Sequence, residues 1–479
     1  MDLKSILSQF QNWDMSKIEF PKIDFSGIKL PRVKMPQLKI GRFTSEVPVV
    51  QGGMGVGISL SGLASAVARS GGIGVIAANA IGMIEPDYFK NGIEANKRAL
   101  RKEIRKARES AGGGILGVNI MVALNDFHEM LNVSIEEKVD VLFLGAGLPL
   151  RGIPVEKIRK AGVMIVPIVS SARAAKLIFT FWEKNYGTIP DGVVVEGPEA
   201  GGHLGFKLEQ IDDPKYRLEK IIPEVVETVN EIGERNGRTI PVIAAGGVFT
   251  GEDIYKFLKL GASGVQMGTR FVATEECDAD HEFKRNFVDS KKDDIMIIKS
   301  PVGMPGRAIR NKFITDVSSG IKKEFKCPWK CLESCGADKA NYCISIALNN
   351  ARRGKMSYGY AFAGSNAFRV ESIVPVNGLI NELVTDYSFV VEKNAEKIKS
   401  EFELMKEKLI RIKNEYEKVI EQVLCQLKGG YEKTFLKKSE ELKVEIQKYK
   451  VKLAELKEEF TKGICELNLL QKEFITITA

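Results

Sequence analysis

Eight short apolar runs rich in β-branched residues recur between residues 47 and 270, and their spacing restricts the possible folds more than any other feature. The runs begin near Val47, Ile73, Ile115, Val139, Val163, Gly192, Pro241 and Gly264. Most are followed by a helical pattern, over Leu60–Arg69, Ile93–Glu109, Phe127–Glu137, Val155–Lys160, Ala172–Lys184, Leu218–Asn236 and Gly251–Leu260. Eight alternating βα units predict a closed (β/α)8 barrel, the TIM-barrel architecture of the α/β class.

A doubly wound, Rossmann-like sheet is the alternative that this alternation leaves open. Such a sheet binds dinucleotides through a G-x-G-x-x-G turn after the first strand. The segment after the first run has glycines at Gly53, Gly55 and Gly57, but Leu60 stands where the last glycine of the motif belongs. We therefore favour the barrel.

The composition divides the chain into four predicted segments. Residues 1–40 repeat an apolar-charged-apolar-Pro pattern and are expected to form an extended arm, because proline is excluded from central strands. Residues 41–275 hold the barrel. Residues 276–393 lack the barrel rhythm and are expected to cap its open face, and residues 394–479 are rich in Lys and Glu.

The last segment carries a heptad pattern on each side of a glycine pair. Its apolar positions are Ile398, Phe402, Met405, Leu409, Ile412, Tyr416, Val419 and Val423, then Leu442, Ile446, Tyr449, Leu453, Leu456 and Phe460. Gly429 and Gly430 interrupt the pattern, which predicts an antiparallel coiled-coil hairpin. We expect this hairpin to support homo-oligomer assembly.

Charge and hydropathy exclude several kinds of partner. The net charge of +8 is spread among mixed Lys and Glu, and no nucleic-acid-binding motif occurs, so nucleic acid is not an expected partner. No run of 18 apolar residues occurs, so no membrane span is predicted. Seven cysteines and a start without a long apolar core indicate a cytoplasmic protein.

One of the three histidines follows the sixth apolar run on a glycine-rich loop. The run Val193–Glu196 continues into a loop with Gly201 and Gly202 that delivers His203. The carboxyl ends of barrel strands carry the chemistry of this fold, and imidazole titrates near neutral pH. His203 is therefore the candidate catalytic residue, for a small-molecule substrate.

Two further glycine turns follow the seventh and eighth runs, where barrels bind phosphate. They contain Gly246 and Gly247 after the seventh run, and Gly268 and Thr269 after the eighth. Backbone N–H groups and a hydroxyl can hold a phosphate without lysine. The ends of the first and third runs add Gly52, Gly53, Met54 and Asn119. A planar cofactor with one phosphate, FMN, suits this set.

Five motifs in this order resemble the nitronate monooxygenase (2-nitropropane dioxygenase) family, which also contains the flavin-dependent type II enoyl-ACP reductases. The motifs begin at Gln51, Gly117, Glu199, Ala244 and Gln266. The resemblance covers about residues 38–390 and implies an FMN-containing barrel with a cap and His203 as the active-site histidine. It implies FMN contacts from Asn119, Gly201, Gly246, Gly247, Gln266, Met267, Gly268 and Thr269, and we count Glu196 with them.

The resemblance leaves two reactions open. A nitronate monooxygenase oxidises an alkyl nitronate with O2 to a carbonyl compound and nitrite. A type II reductase uses NAD(P)H to reduce FMN and then an enoyl thioester. Glu196 and Gln51–Met54 are reductase-like, whereas the segment from Ser300 to Arg307 and the long cap are typical of the monooxygenases, which we favour.

The cysteines and the C-terminal hairpin each allow one further hypothesis. Four thiols lie within 17 residues, at Cys327, Cys331, Cys335 and Cys343, and could bind zinc or an iron–sulfur cluster, although dispersed thiols are the simpler reading. A barrel kept as a scaffold for a protein-binding hairpin is the alternative of a different functional class.

Overall fold

The computed structural model describes residues 34–429, except 328–329, 333–334 and 337–339. Towards the C-terminus it also describes residues 447–448, 451–452, 454–456, 458–466 and 468. Residues 1–33 of the predicted arm lie outside these ranges. The end of that arm forms β1 (Leu38–Ile40), which pairs antiparallel with β2 (Phe43–Ser45). Leu38 and Ile40 are fully buried against the inner barrel residues, so this hairpin belongs to the barrel core.

Eight parallel strands close into one barrel, as the sequence predicts. They are β3 (Val49–Gln51), β4 (Ile73–Ala77), β5 (Ile115–Met121), β6 (Val141–Gly145), β7 (Met164–Val169), β8 (Val193–Glu196), β10 (Val242–Ala245) and β11 (Gly264–Met267). Strand β11 pairs with β3 and closes the barrel, and β8 pairs directly with β10. The short β9 (Gly202–His203), between them in sequence, lies outside the barrel. The inner residues are mostly β-branched or aromatic and fill the barrel as a packed core.

Seven barrel helices match the seven predicted patterns to within two residues at each end. They are α1 (Ser61–Arg69), α2 (Gly92–Ser110), α3 (Phe127–Glu136), α4 (Val155–Ala161), α5 (Ala172–Tyr186), α6 (Leu218–Arg235) and α7 (Gly251–Lys259). The short α8 (Thr269–Val272), which follows the eighth barrel strand, was not predicted. Side-chain caps explain two of the starts, since Ser171 accepts from the N–H of Ala174 and Thr250 from that of Asp253.

The segment after the barrel folds back over its open face. It contains α9 (His281–Val288), β12 (Ile295–Lys299), β13 (Pro305–Ile309), α10 (Lys312–Ser318) and α11 (Ile344–Arg352). Strands β12 and β13 form an antiparallel hairpin, and β9 adds as its third strand, with Gly306 opposite His203. The cap therefore pairs directly with the strand that carries the candidate catalytic histidine.

The chain divides into two compact units, Lys34–Tyr387 and a second one that includes the residues from Ser388 onward. The long helix α12 (Val376–Gly429) runs from the first into the second. Within the second unit, Lys408 pairs with Glu459 at 3.1 Å and Glu415 with Lys452 at 2.8 Å, an antiparallel arrangement of the two described stretches. Of the heptad residues, Phe402 and Leu409 are among those that are buried. In the described part of the chain, no helix is long and apolar enough to cross a membrane.

Candidate active site

His203 reaches the mouth of the barrel through the loop that follows β8. The N–H of Gly197 donates to the carbonyl of Ala245 at 2.8 Å, and that of Ala200 to the carbonyl of Gly197 at 3.2 Å. The buried guanidinium of Arg307 then fixes the loop, since Nη1 donates to the carbonyls of Pro198 at 2.6 Å and Ala200 at 2.9 Å. An arginine of the cap thus holds the backbone that positions His203.

The environment of His203 keeps its imidazole neutral. Nε2 lies 2.7 Å from Oγ of Ser300, and the ring meets that of Phe362 edge-on, with 5.1 Å between centroids. Burial lowers the pKa of His203 to about 4, because desolvation disfavours the charged form. At neutral pH the residue is therefore a neutral imidazole that can donate from one ring nitrogen and accept at the other.

Glu196 is a second titratable group at the same edge of the barrel. It ends β8 two residues after Val194, a member of the inner core, so its side chain points to the same inner face. Burial raises the pKa of Glu196 to about 7, and within the described residues its carboxyl group makes no hydrogen bond. Near neutral pH this carboxyl can therefore gain or lose a proton.

The two glycine turns present backbone N–H groups without a partner. Gly246 and Gly247 have φ of +93° and +84°, and a Cβ atom on Gly246 would lie 3.0 Å from backbone atoms of Gly197 and Ala200. In the described structure, the N–H groups of Gly246, Gly247 and Gly268 donate no hydrogen bond. Only Sδ of Met54, at 4.0 Å, would approach a Cβ atom on Gly268. Unpaired N–H donors of this kind fit an anionic group.

The ends of β3, β5 and β11 also contribute residues to the mouth. The N–H of Gly52 donates to the carbonyl of Met267 at 2.8 Å, and a Cβ atom on Gly52 would come within 3.6 Å of the Gln266 side chain. A Cβ atom on Gly53 would overlap the side chain of Asn119, so only glycine fits there. The structure thus brings together the residues predicted from these three strands.

A family model described as nitronate monooxygenase matches residues 37–386. The chain belongs to the nitronate monooxygenase family. As a member of it, the protein is a flavin-dependent oxidoreductase. This match confirms the predicted resemblance.

The proteins that are similar to this chain are named for different enzymes. A probable nitronate monooxygenase of Staphylococcus aureus (strain JH9) is 27% identical over 309 residues, covering 57% of this chain and 78% of its own length. The (3aS,4S,5R,7aS)-5-hydroxy-7a-methyl-1-oxo-octahydro-1H-indene-4-carboxyl-CoA dehydrogenase of Mycobacterium tuberculosis is 28% identical over 277 residues, covering 58% and 67%. The structure of FabK from Thermotoga maritima superposes with a TM-score of 0.57 at 27% identity, covering 72% of this chain and 94% of that one.

Sequence reasoning missed the cap residues that complete the site of this nitronate monooxygenase family member. The N–H of Gly364 donates to Oγ1 of Thr269 at 3.0 Å, the N–H of Ser365 to the carbonyl of Glu199 at 3.0 Å, and Nδ2 of Asn366 to the carbonyl of Gly247 at 2.7 Å. A Cβ atom on Gly201 would also meet the backbone of this loop. These partners are 95 or more residues apart, so no local pattern indicates them.

The four clustered cysteines do not form a metal centre in the described structure. Sγ of Cys331 lies 3.6 Å from Oγ of Ser345, and Cys335 and Cys343 are free thiols. No group of three or more His, Cys, Asp or Glu side chains among the described residues is arranged to hold a metal ion. Metal binding by these cysteines stays a prediction.

Proposed function

We propose that this protein is an FMN-dependent nitronate monooxygenase, which oxidises an alkyl nitronate with O2 to a carbonyl compound and nitrite. The observation that carries the proposal is a neutral His203 at the same barrel mouth as the unpaired N–H groups of two glycine turns, in a chain of this family. We further propose a cytoplasmic homo-oligomer that takes a small-molecule substrate.

FMN suits the donors that the chain presents. Gly246, Gly247, Gly268 and the hydroxyl of Thr269 would hold its phosphate, and one such set fits a mononucleotide better than a dinucleotide. The ring side would lie over the remaining residues of the mouth: Gly52, Gly53, Met54, Asn119, Glu196, Gly201, Gln266 and Met267. Bound there, FMN would supply the electron transfer from nitronate to O2.

His203 suits a substrate that is already an anion. A nitronate has lost its α-proton, so the protein needs a hydrogen-bond donor for its oxygens and no strong base. An imidazole whose pKa is lowered to about 4 is a weak base but still a good neutral donor. We therefore expect nitronates to be much better substrates than the parent neutral nitroalkanes.

The direct test is to ask which reductant bleaches the purified protein under anaerobic conditions. We expect the protein to purify yellow, to release FMN on denaturation, and to bleach with propyl nitronate faster than with NADH or NADPH. With O2 present, nitrite should form as nitronate is consumed. Stoichiometric FAD, a colourless protein that FMN cannot reconstitute, or bleaching by a nicotinamide alone would contradict the proposal.

A type II enoyl-ACP reductase is the second candidate, and Glu196 is the observation that favours it. Reduction of an enoyl thioester adds a hydride and a proton, and a carboxyl group with a pKa of about 7 can donate that proton. FabK of Thermotoga maritima is also among the similar structures. Rapid bleaching by NADH or NADPH, followed by reoxidation with crotonyl thioester, would select this function.

A further inference from the structure

A serine of the cap forms the only hydrogen bond that the structure describes for the His203 ring. Ser300 begins the turn between β12 and β13, where its N–H donates to the carbonyl of Met304 at 3.0 Å. Its side chain is 3% exposed, and Oγ lies 2.7 Å from Nε2 of His203. The pairing of Gly306 in β13 with His203 in β9 holds these two strands together, so the backbone keeps Ser300 close to His203.

The direction of that hydrogen bond follows from the other partners of the hydroxyl. Oγ of Ser300 also accepts a long hydrogen bond from the N–H of Val302, at 3.4 Å. No other acceptor for the hydroxyl proton is described, and a buried O–H without an acceptor is costly. The hydroxyl therefore donates to Nε2, which must carry its lone pair, and the ring proton lies on Nδ1.

We propose that Ser300 is a positioning residue that fixes His203 as its Nδ1–H tautomer, so that Nδ1–H is the donor offered to the substrate oxygen. Nδ1 makes no hydrogen bond within the described part of the chain, which leaves its proton free for a ligand. The edge-on ring of Phe362 restricts the imidazole further. The substrate role rests on the proposed function, whereas the tautomer does not.

The tautomer can be measured without any reaction. The chain has three histidines, so ¹⁵N-histidine labelling gives few signals, and a His203→Asn variant assigns that of His203. Long-range ¹H–¹⁵N correlation spectra of the flavin-bound protein should show an unprotonated Nε2 and a protonated Nδ1. A protonated Nε2 in the unmodified protein overturns the proposal, whichever reaction the protein catalyses.

Variants of Ser300 test whether the serine sets this state. Ser300→Ala should shift the His203 signals toward the Nε2–H tautomer and lower kcat by about 2- to 10-fold, the value of one neutral hydrogen bond. Ser300→Thr keeps the hydroxyl and should restore both. Ser290→Ala is the matched control, because this buried serine of the cap donates to the carbonyl of Phe287 and does not contact His203. An unchanged tautomer in Ser300→Ala overturns the assignment.

Amide replacements of His203 test which ring nitrogen donates a hydrogen bond to the substrate. Asn places an N–H group near the position of Nδ1, and Gln places one near Nε2. With nitronate we expect His203→Asn to keep more turnover than His203→Gln, and His203→Ala to lose about 10²- to 10⁴-fold with flavin retained. If Gln is the better substitute, Nε2 is the donor and the inference fails. If no variant or parent oxidises nitronate while the Nδ1–H tautomer is observed, only the proposed function fails.

Discussion

Glu196 shows at the scale of one residue how burial couples a functional group to stability. Its pKa is about 7 in the folded protein and near its ordinary value when unfolded, so the folded state binds more protons between those two values. Stability from this residue is therefore greatest below pH 4.5, falls as pH rises toward 7 and is constant above it. The carboxyl group of Glu196 therefore lowers the free energy of unfolding at neutral pH.

Replacing Glu196 with Gln should remove this pH dependence. The unfolding free energy of the variant minus that of the parent should increase by about 1–2 kcal/mol as the pH rises from about 5.5 to about 8. The increase is expected because only the parent must bury or protonate a carboxylate. Urea unfolding of both proteins at the two pH values measures the change. His203, whose lowered pKa acts in the opposite direction, is common to both proteins. An equal difference at both pH values would mean that Glu196 titrates normally.

At the scale of elements, the glycine turn after β10 should be required for flavin binding. Gly246→Ala forces an alanine to φ of +93° and places its Cβ against two backbone atoms, so the turn must shift and its N–H groups with it. Gly187→Ala is the matched control, with φ of +62° and no neighbouring atom within 4 Å. Gly187→Ala should lose about 1 kcal/mol from its left-handed backbone conformation, and Gly246→Ala, whose φ lies outside that region, should lose at least as much.

We expect Gly246→Ala to purify with most of its flavin missing, and Gly187→Ala to keep the parent ratio of flavin to protein absorbance. Full flavin content in Gly246→Ala would place the phosphate elsewhere. The pair separates flavin binding from the cost of a positive φ, because both variants place alanine at a positive φ and only Gly246 lies at the mouth of the barrel.

For the whole molecule, the start of α12 belongs to the barrel unit although the helix continues beyond it. Leu379, Ile380 and Leu383 are buried, and Oδ2 of Asp386 accepts from the N–H of Gly251 at 2.6 Å at the start of α7. Glu382 also pairs with Arg270 at 2.7 Å. A truncation that keeps residues up to Tyr387 should therefore retain these contacts with the barrel.

Deleting residues 396–479 should leave a folded, flavin-bound barrel with near-normal activity, whereas deleting 376–479 should give insoluble or flavin-free protein. We also propose that the hairpin drives assembly, so the full-length chain should be the larger oligomer in size-exclusion chromatography with light scattering. Equal masses would make the hairpin an appendage of one chain. Loss of flavin on the shorter deletion would place the catalytic boundary beyond residue 396.

The barrel and the candidate site residues could be predicted from the sequence. Strand periodicity is local, and the carboxyl ends of parallel strands meet at one edge, so the sequence alone places His203, Gly246 and Gly268 together. The contacts of Ser300, Arg307 and the loop of Gly364 with the site could not be predicted, because they join residues about 95 or more positions apart. The pKa values of His203 and Glu196 likewise could not be predicted from the sequence. They depend on how far the cap and barrel exclude water, and no residue spacing encodes that.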